Sequence, residues 1–278
     1  MSDAQPEDEH RMPLLEHLRE LRNRLVVSFV VVVVGMLGSA LLIRPIYGFL
    51  TAPMRLLLTD AEPYPQMDEL YLLLTSPIRS IFPPEFTDVT VEGTLAVHAP
   101  MEGVYVWLYT TVISGVLLAS PILAYQVWGF VGPGLYKQER KYVIPLTFAS
   151  TLLFLMGTSF AFLVLLPVAF PFFLTVLPAE AILSVQSYLS TLVRLLLAFG
   201  VCFQLPIAVF FVARMGLVDA RDMVSSFRYA IVIIFVLAAI ITPPDILTQT
   251  LLGVPMIILY ILSIGVAWMF TTKVRDDA

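Results

Sequence analysis

The residues best placed to do chemistry lie in Leu14-Leu15-Glu16-His17-Leu18-Arg19-Glu20-Leu21-Arg22-Asn23-Arg24-Leu25. Glu20 stands four residues before Arg24, the spacing and order in which a helical carboxylate and guanidinium support each other, and His17 lies one turn earlier on the same face. Leu14, Leu18, Leu21 and Leu25 form a separate apolar stripe, so the stretch reads as an amphipathic helix. Its charged face can offer a carboxylate to a cationic group. It can equally be a solvated, salt-laced collar that only orients the helix behind it. Other chemistries lack their residues. The lone Cys202 allows no intrachain disulfide or cysteine-built metal site, and His10, His17 and His98 include no HExxH pair. A GxxxxGK[ST] phosphate loop is absent, and the apolar runs contain no Ser/His or Asp/Asp pair for an intramembrane hydrolase. No cofactor and no enzymatic activity are expected.

The elements that must position Glu20 are membrane helices. Hydrophobic residues make up 59% of the 278 and charged residues 13%, about half the share of a soluble domain, with a mean hydropathy of +0.89. The net charge of -5 offers no basic stripe to follow a phosphate backbone, so nucleic acid is not an expected partner. Residues 1–12 are acidic and polar and are expected to form a disordered tail; a single membrane domain is expected over 13–278. The first apolar run lacks a following small-residue cleavage pattern, so it reads as a retained helix.

Leu25 to Ile43 is uncharged for 19 residues, enough for a ~30 Å hydrocarbon layer. A proline-rich external loop is expected over about 44–100, with short surface helices at Ile46 to Leu58 and Leu70 to Ile81. Asp88-Val-Thr-Val-Glu has a strand-like alternation. The second crossing is expected at 103–128; its aromatic end, a Gly/Pro turn and the cluster Lys137-Gln-Glu-Arg-Lys141 describe a helix leaving the bilayer. Pro167, Pro171 and Pro178 are expected to end the third crossing, 143–167, and leave an external cap. The fourth, 188–213, is interrupted by Arg194, Gln204 and Pro206. Arg194 can snorkel to an interface; Gln204, near mid-run, cannot. Helices at 229–241 and 251–272 are both expected to be short, because Tyr229 to Ile241 is 13 uncharged residues, about 20 Å of helix.

The expected fold is therefore all-α, with six transmembrane helices. Of 16 basic residues, 12 fall on the side of the termini, leaving Arg44, Arg55, Arg79 and Arg194 for the other. By the positive-inside rule both termini are cytoplasmic. No internal repeat is visible, which weighs against an inverted-repeat transporter.

Four motifs in this order carry a family resemblance: H-L-x-E-L-R-x-R-L from His17 to Leu25, Ala52-Pro53, Y-Q-V-W-x-F-x-x-P-x-L-Y-K-x-E-R from Tyr125 to Arg140, and T-P-P-D-x-x-x-Q from Thr242 to Gln249. Together they resemble TatC, the multi-spanning receptor subunit of the twin-arginine protein translocase. The resemblance implies a concave, glove-like bundle in a prokaryotic cytoplasmic membrane. It also implies cargo signal peptides with paired arginines, single-span TatA/TatB-type partners in a hetero-oligomer, and energy from the proton-motive force. Glu20 and Glu139 match the family's signal-contacting acids, with Arg22, Arg24, Lys137 and Arg140 holding them and Phe130, Pro133 and Leu135 shaping the turn that presents Glu139. Pro53 matches a position that holds the outer cap, a helix-stop proline being the alternative. Thr242, Asp245 and Gln249 would line the partner-docking side, while Asp245 also suits a helix N-cap. Gln204 departs from the glutamate common in the family: it can hydrogen-bond a partner helix but cannot titrate. The stretch from about Asp60 to Glu92 is longer than in compact members.

The competing class is a proton-coupled small-solute secondary transporter. It requires ionisable residues near the midplane, where these runs offer only the amide of Gln204.

Overall fold

The computed structural model describes residues 14–58, 64–80, 93–96, 99–131, 143–175, 181–216, 218–241 and 246–276. Collar and first apolar run are one helix, α1, Leu14–Ala40. Leu18 and Leu25 are more than half exposed, so these two residues of the collar stripe face outward. After a turn at Leu41-Leu42 come α2, Ile43–Arg55, and α3, Pro65–Arg79, the two short helices expected in the first loop. Asp88 to Glu92 lies outside the described residues, as does the tail 1–12.

Helix α4, Glu102–Val131, runs antiparallel to α1. They meet where both lack a side chain: a Cβ on Gly35 would stand 2.7 Å from the Gly115 carbonyl oxygen, and one on Gly115 would stand 2.6 Å from Met36 Cγ. Ser39 Oγ donates to Thr111 O at 3.4 Å one turn further along. This crossing fixes the register of the two helices, and with it what lies beside Glu20.

The third crossing does not end at Pro167. Helix α5, Val143–Phe160, passes through a π-helical turn, Ala161–Leu165, into α6, Leu166–Thr175, and is apolar from Val143 to Pro171. The π turn ends two residues before Pro167; its wider hydrogen-bonded ring takes up the register where proline has no N–H and would crowd the preceding turn. Helix α7, Val185–Cys202, is broken from α8, Leu205–Arg214, at Phe203-Gln204, with Pro206 in the first turn of α8. A short α9, Ala220–Ser225, leads to α10, Phe227–Ile241, and α11, Ile246–Asp276.

Among the described residues, five helices are long and apolar enough to cross a membrane, and α10 is a shorter apolar one of 15 residues. The shortness expected of both last helices belongs to α10 alone: α11 is 31 residues long and its apolar part, Gln249–Met269, spans 21. The fold is nearly all-helical, with one correction. Gly93–Ala96 (β1) and Ala181–Ser184 (β2) pair in parallel, Gly93 opposite Ala181, and tie the two loops at the end away from Glu20.

The main core lies at that same end. Leu50 and Met54 of α2 pack with Phe162 and Leu166 of the third crossing and Leu189 and Phe199 of α7. Tyr188 donates from its buried hydroxyl to Leu50 O at 2.6 Å. Pro53 is buried inside α2, which continues to Arg55, so it does not stop the helix. Arg55, also buried, donates to Thr51 Oγ1, to Gly48 O at 2.8 Å and to Asp68 of α3, and its guanidinium lies 4.6 Å from the Tyr64 ring centroid. The second oxygen of Asp68 accepts from Tyr64 N at 2.9 Å. One buried ion pair thus docks α3, part of the long loop, onto α2.

Candidate functional site

Glu20 sits on α1 because the collar continues the membrane helix without a break. Arg24 donates to Glu20 Oε1 from both Nε, at 2.9 Å, and Nη2, at 2.7 Å. The remaining arm, Nη1, donates to Gln126 Oε1 on α4 at 3.2 Å. Each side chain of the pair is 24% exposed, at the edge between core and surroundings. Glu20 Oε2 accepts no bond from the described residues. The carboxylate is therefore oriented through one oxygen and open at the other. An (i, i+4) pair this exposed contributes about 0.3–1 kcal/mol to stability, so its main effect is to fix geometry.

Gly129 makes that geometry possible. A Cβ there would collide with the Arg24 guanidinium, so the absent side chain is the bed on which Arg24 crosses from α1 to α4. Phe130, half-buried, follows directly, and α4 ends at Val131. The connector to α5 therefore leaves from the same end as the Glu20–Arg24 pair. Glu139, Lys137, Arg140, Pro133 and Leu135 lie in that connector, outside the described residues. Arg22 is exposed and donates to Asn23 Oδ1 at 3.3 Å, turned from Glu20. The structure thus brings together Glu20, Arg24 and the end of α4 that carries Phe130. Gln126 and Gly129 were not singled out by sequence reasoning; the only signal was a lone carboxamide and a glycine within the aromatic motif.

A second polar cluster lies deeper. Trp128 Nε1 donates to Ser150 Oγ at 2.7 Å, and Gln204 Nε2 donates to Ser150 O at 2.9 Å. The Trp128 and Phe211 rings meet edge-on at 5.3 Å, with Leu146 and Ile207 packed around them. Gln204 thus fills the break between α7 and α8 and ties it to α5, while Trp128 ties α5 to the helix beside Arg24. Gln249 is half-buried in the first turn of α11; Thr242 and Asp245 lie outside the described residues. Among the described residues no cluster of His, Cys, Asp and Glu could hold a metal ion.

Residues 16–255 match the family model described as Sec-independent protein translocase protein (TatC). Over 272 residues the chain is 35% identical to the Sec-independent protein translocase protein TatC of Desulforapulum autotrophicum, covering 97% of this chain and 89% of that one. The chain belongs to the TatC family. The TatC protein of Aquifex aeolicus is 34% identical over 269 residues, 95% of this chain and 98% of its own. A crystal structure of the twin-arginine translocase receptor TatC superposes with a TM-score of 0.67 at 31% identity, covering 92% of this chain and 99% of that one. The TatC family match takes in both polar clusters, Glu20 to Gln126 and Trp128 to Gln204.

Proposed function

We propose that this chain is the receptor of a twin-arginine translocase in a prokaryotic cytoplasmic membrane, with six crossings and both termini in the cytoplasm. It binds the paired arginines of cargo signal peptides through Glu20 and Glu139 and, with single-span TatA/TatB-type partners, passes folded cargo across the membrane under the proton-motive force. It performs no bond-making chemistry of its own.

The observation that carries this reading is the state of Glu20. Arg24 holds one carboxylate oxygen in place while the other is open, and a charge-assisted bond from a signal guanidinium to that oxygen, partly shielded from water, is stronger than one in bulk solvent. Glu139 brings a second carboxylate from the connector that leaves α4 beside it, as two adjacent arginines require. Thr242, Asp245, Gln249 and Gln204 serve the partner helices on the concave side. Glu20→Ala and Glu139→Ala are each expected to abolish export of a twin-arginine cargo while the protein remains inserted; export at the unaltered rate from both variants would remove the binding site.

A further inference from the structure

Arg44 is a guanidinium that the fold leaves without a partner. The apolar part of α1 ends at Ala40, and Arg44 follows in the first turn of α2, at the end away from Glu20. It is exposed and makes no hydrogen bond or ion pair among the described residues. It also borders a surface cavity of about 260 Å³, whose other walls are Pro45, Tyr64, Pro65, Gln66 and Met67. The walls are held in place: the Arg55–Asp68 pair docks α3 on α2, and Gly48 admits the Tyr64 ring, since a Cβ there would stand 2.9 Å from Tyr64 Cδ1. Among the described residues the polar groups at the cavity are therefore a guanidinium, a phenol and a carboxamide, with no acid. Both oxygens of Asp68 are already taken, by Arg55 and by Tyr64 N, and Glu69 is exposed on α3 and does not line the cavity.

We infer that this cavity binds the headgroup of a phosphatidylglycerol-type lipid, an anionic phosphodiester of a neutral alcohol, in the leaflet away from Glu20. Arg44 donates to the phosphate oxygens, whose geometry suits the planar fork of a guanidinium, and a basic pocket beside a membrane helix is a common seat for an anionic headgroup. The acyl chains lie outside. At about 260 Å³ the cavity is smaller than the ~300–1,000 Å³ of pockets that enclose a drug-sized ligand, so it takes a headgroup only. Leu41 and Leu42, directly before the turn that carries Arg44, are 87% and 60% exposed and offer the chains apolar surface at the edge of the hydrocarbon layer. Free phosphate would leave that surface unused. A choline or ethanolamine headgroup is disfavoured, because its ammonium finds no carboxylate at the cavity and the Tyr64 ring already carries the Arg55 guanidinium at 4.6 Å.

The test uses the full chain in phosphatidylcholine nanodiscs containing a photoactivatable phosphatidylglycerol, with the labelled residues located by mass spectrometry. Labelling is expected within 41–67 and is expected to fall about fivefold in Arg44→Gln, the factor one basic residue supplies at an anionic headgroup. Arg194→Gln, which removes another exposed arginine, is expected to leave it unchanged. In the unaltered chain, unlabelled phosphatidylglycerol is expected to compete about fivefold more strongly than phosphatidylethanolamine, and inorganic phosphate is expected not to compete. Labelling of 41–67 that survives Arg44→Gln, or equal competition by the two lipids, would overturn the inference. Displacement by inorganic phosphate would assign the cavity to a free anion and overturn the lipid.

Discussion

At the scale of single residues, the Arg24 guanidinium is the hinge pin of the site around Glu20. Two of its nitrogens orient Glu20 and the third reaches Gln126 on α4. Lysine is no substitute at such a position, because a single ammonium cannot reproduce the planar fork. Arg24→Lys is expected to weaken signal-peptide binding about three- to tenfold, as one or two charge-assisted bonds are lost, with insertion unchanged; fluorescence anisotropy with a labelled signal peptide reads it. Gly129→Val, which drives a side chain into the Arg24 guanidinium, is expected to do at least as much without touching either carboxylate. The Glu20–Arg24 pair was legible in the sequence because both partners lie on one helix at a fixed spacing. Gln126 was not, because it stands 102 residues from Arg24 and only the α1–α4 crossing brings them together. For the same reason Gln204 read as an amide open to a partner, whereas one side of it is already bound to Ser150.

At the scale of elements, the extended first loop has a physical explanation that composition could not supply. Arg55 counted only as one of four basic residues on the far side; in the fold it is buried and paired with Asp68, so α3 is docked and not merely lying on the surface. Removing one partner of such a pair strands a buried charge, at a cost of about 3–5 kcal/mol, whereas replacing both with apolar residues is often neutral. Asp68→Ala is therefore expected to release α3, seen as faster hydrogen exchange over 65–79, and the double variant Arg55→Met with Asp68→Leu to restore protection. The neighbouring Tyr47 phenol is pushed above its ordinary value of 10.0 first by burial and then by the Tyr64 phenol, with Arg55 pulling it back. Folding therefore favours its neutral form: that contribution is complete below about pH 10 and is lost as the pH rises through the folded value. Exchange over the same cap is expected to accelerate only on that alkaline side. The short helices of the loop were legible from their apolar length. The passage of the third crossing through Pro167 was not, because a π turn is not written in hydrophobic periodicity, nor was the four-residue β1–β2 ladder, whose partners are remote in sequence.

At the scale of the whole molecule, a nearly all-helical fold with several membrane-length apolar helices was readable because each must match the thickness of a bilayer. Their lengths were less so. Helix α10 holds 15 residues, about 22 Å against a ~30 Å hydrocarbon layer, whereas α11 has apolar length enough to cross. The mismatch is confined to one arm, and the bilayer beside α10 is expected to thin locally. Activity in bilayers of increasing acyl length is accordingly expected to fall as the layer thickens, and lengthening α10 by one turn of leucines is expected to shift that dependence toward thicker bilayers. The central claim, however, is recognition of paired arginines by carboxylates at one end of α1 and α4. The most direct test is site-specific photo-crosslinking from positions 20 and 139, in the inserted protein, to a cargo bearing either an Arg-Arg signal or its Lys-Lys counterpart. Crosslinks from both positions that appear with Arg-Arg and vanish with Lys-Lys are the predicted result; crosslinks from neither, or equal crosslinks with both signals, would contradict it.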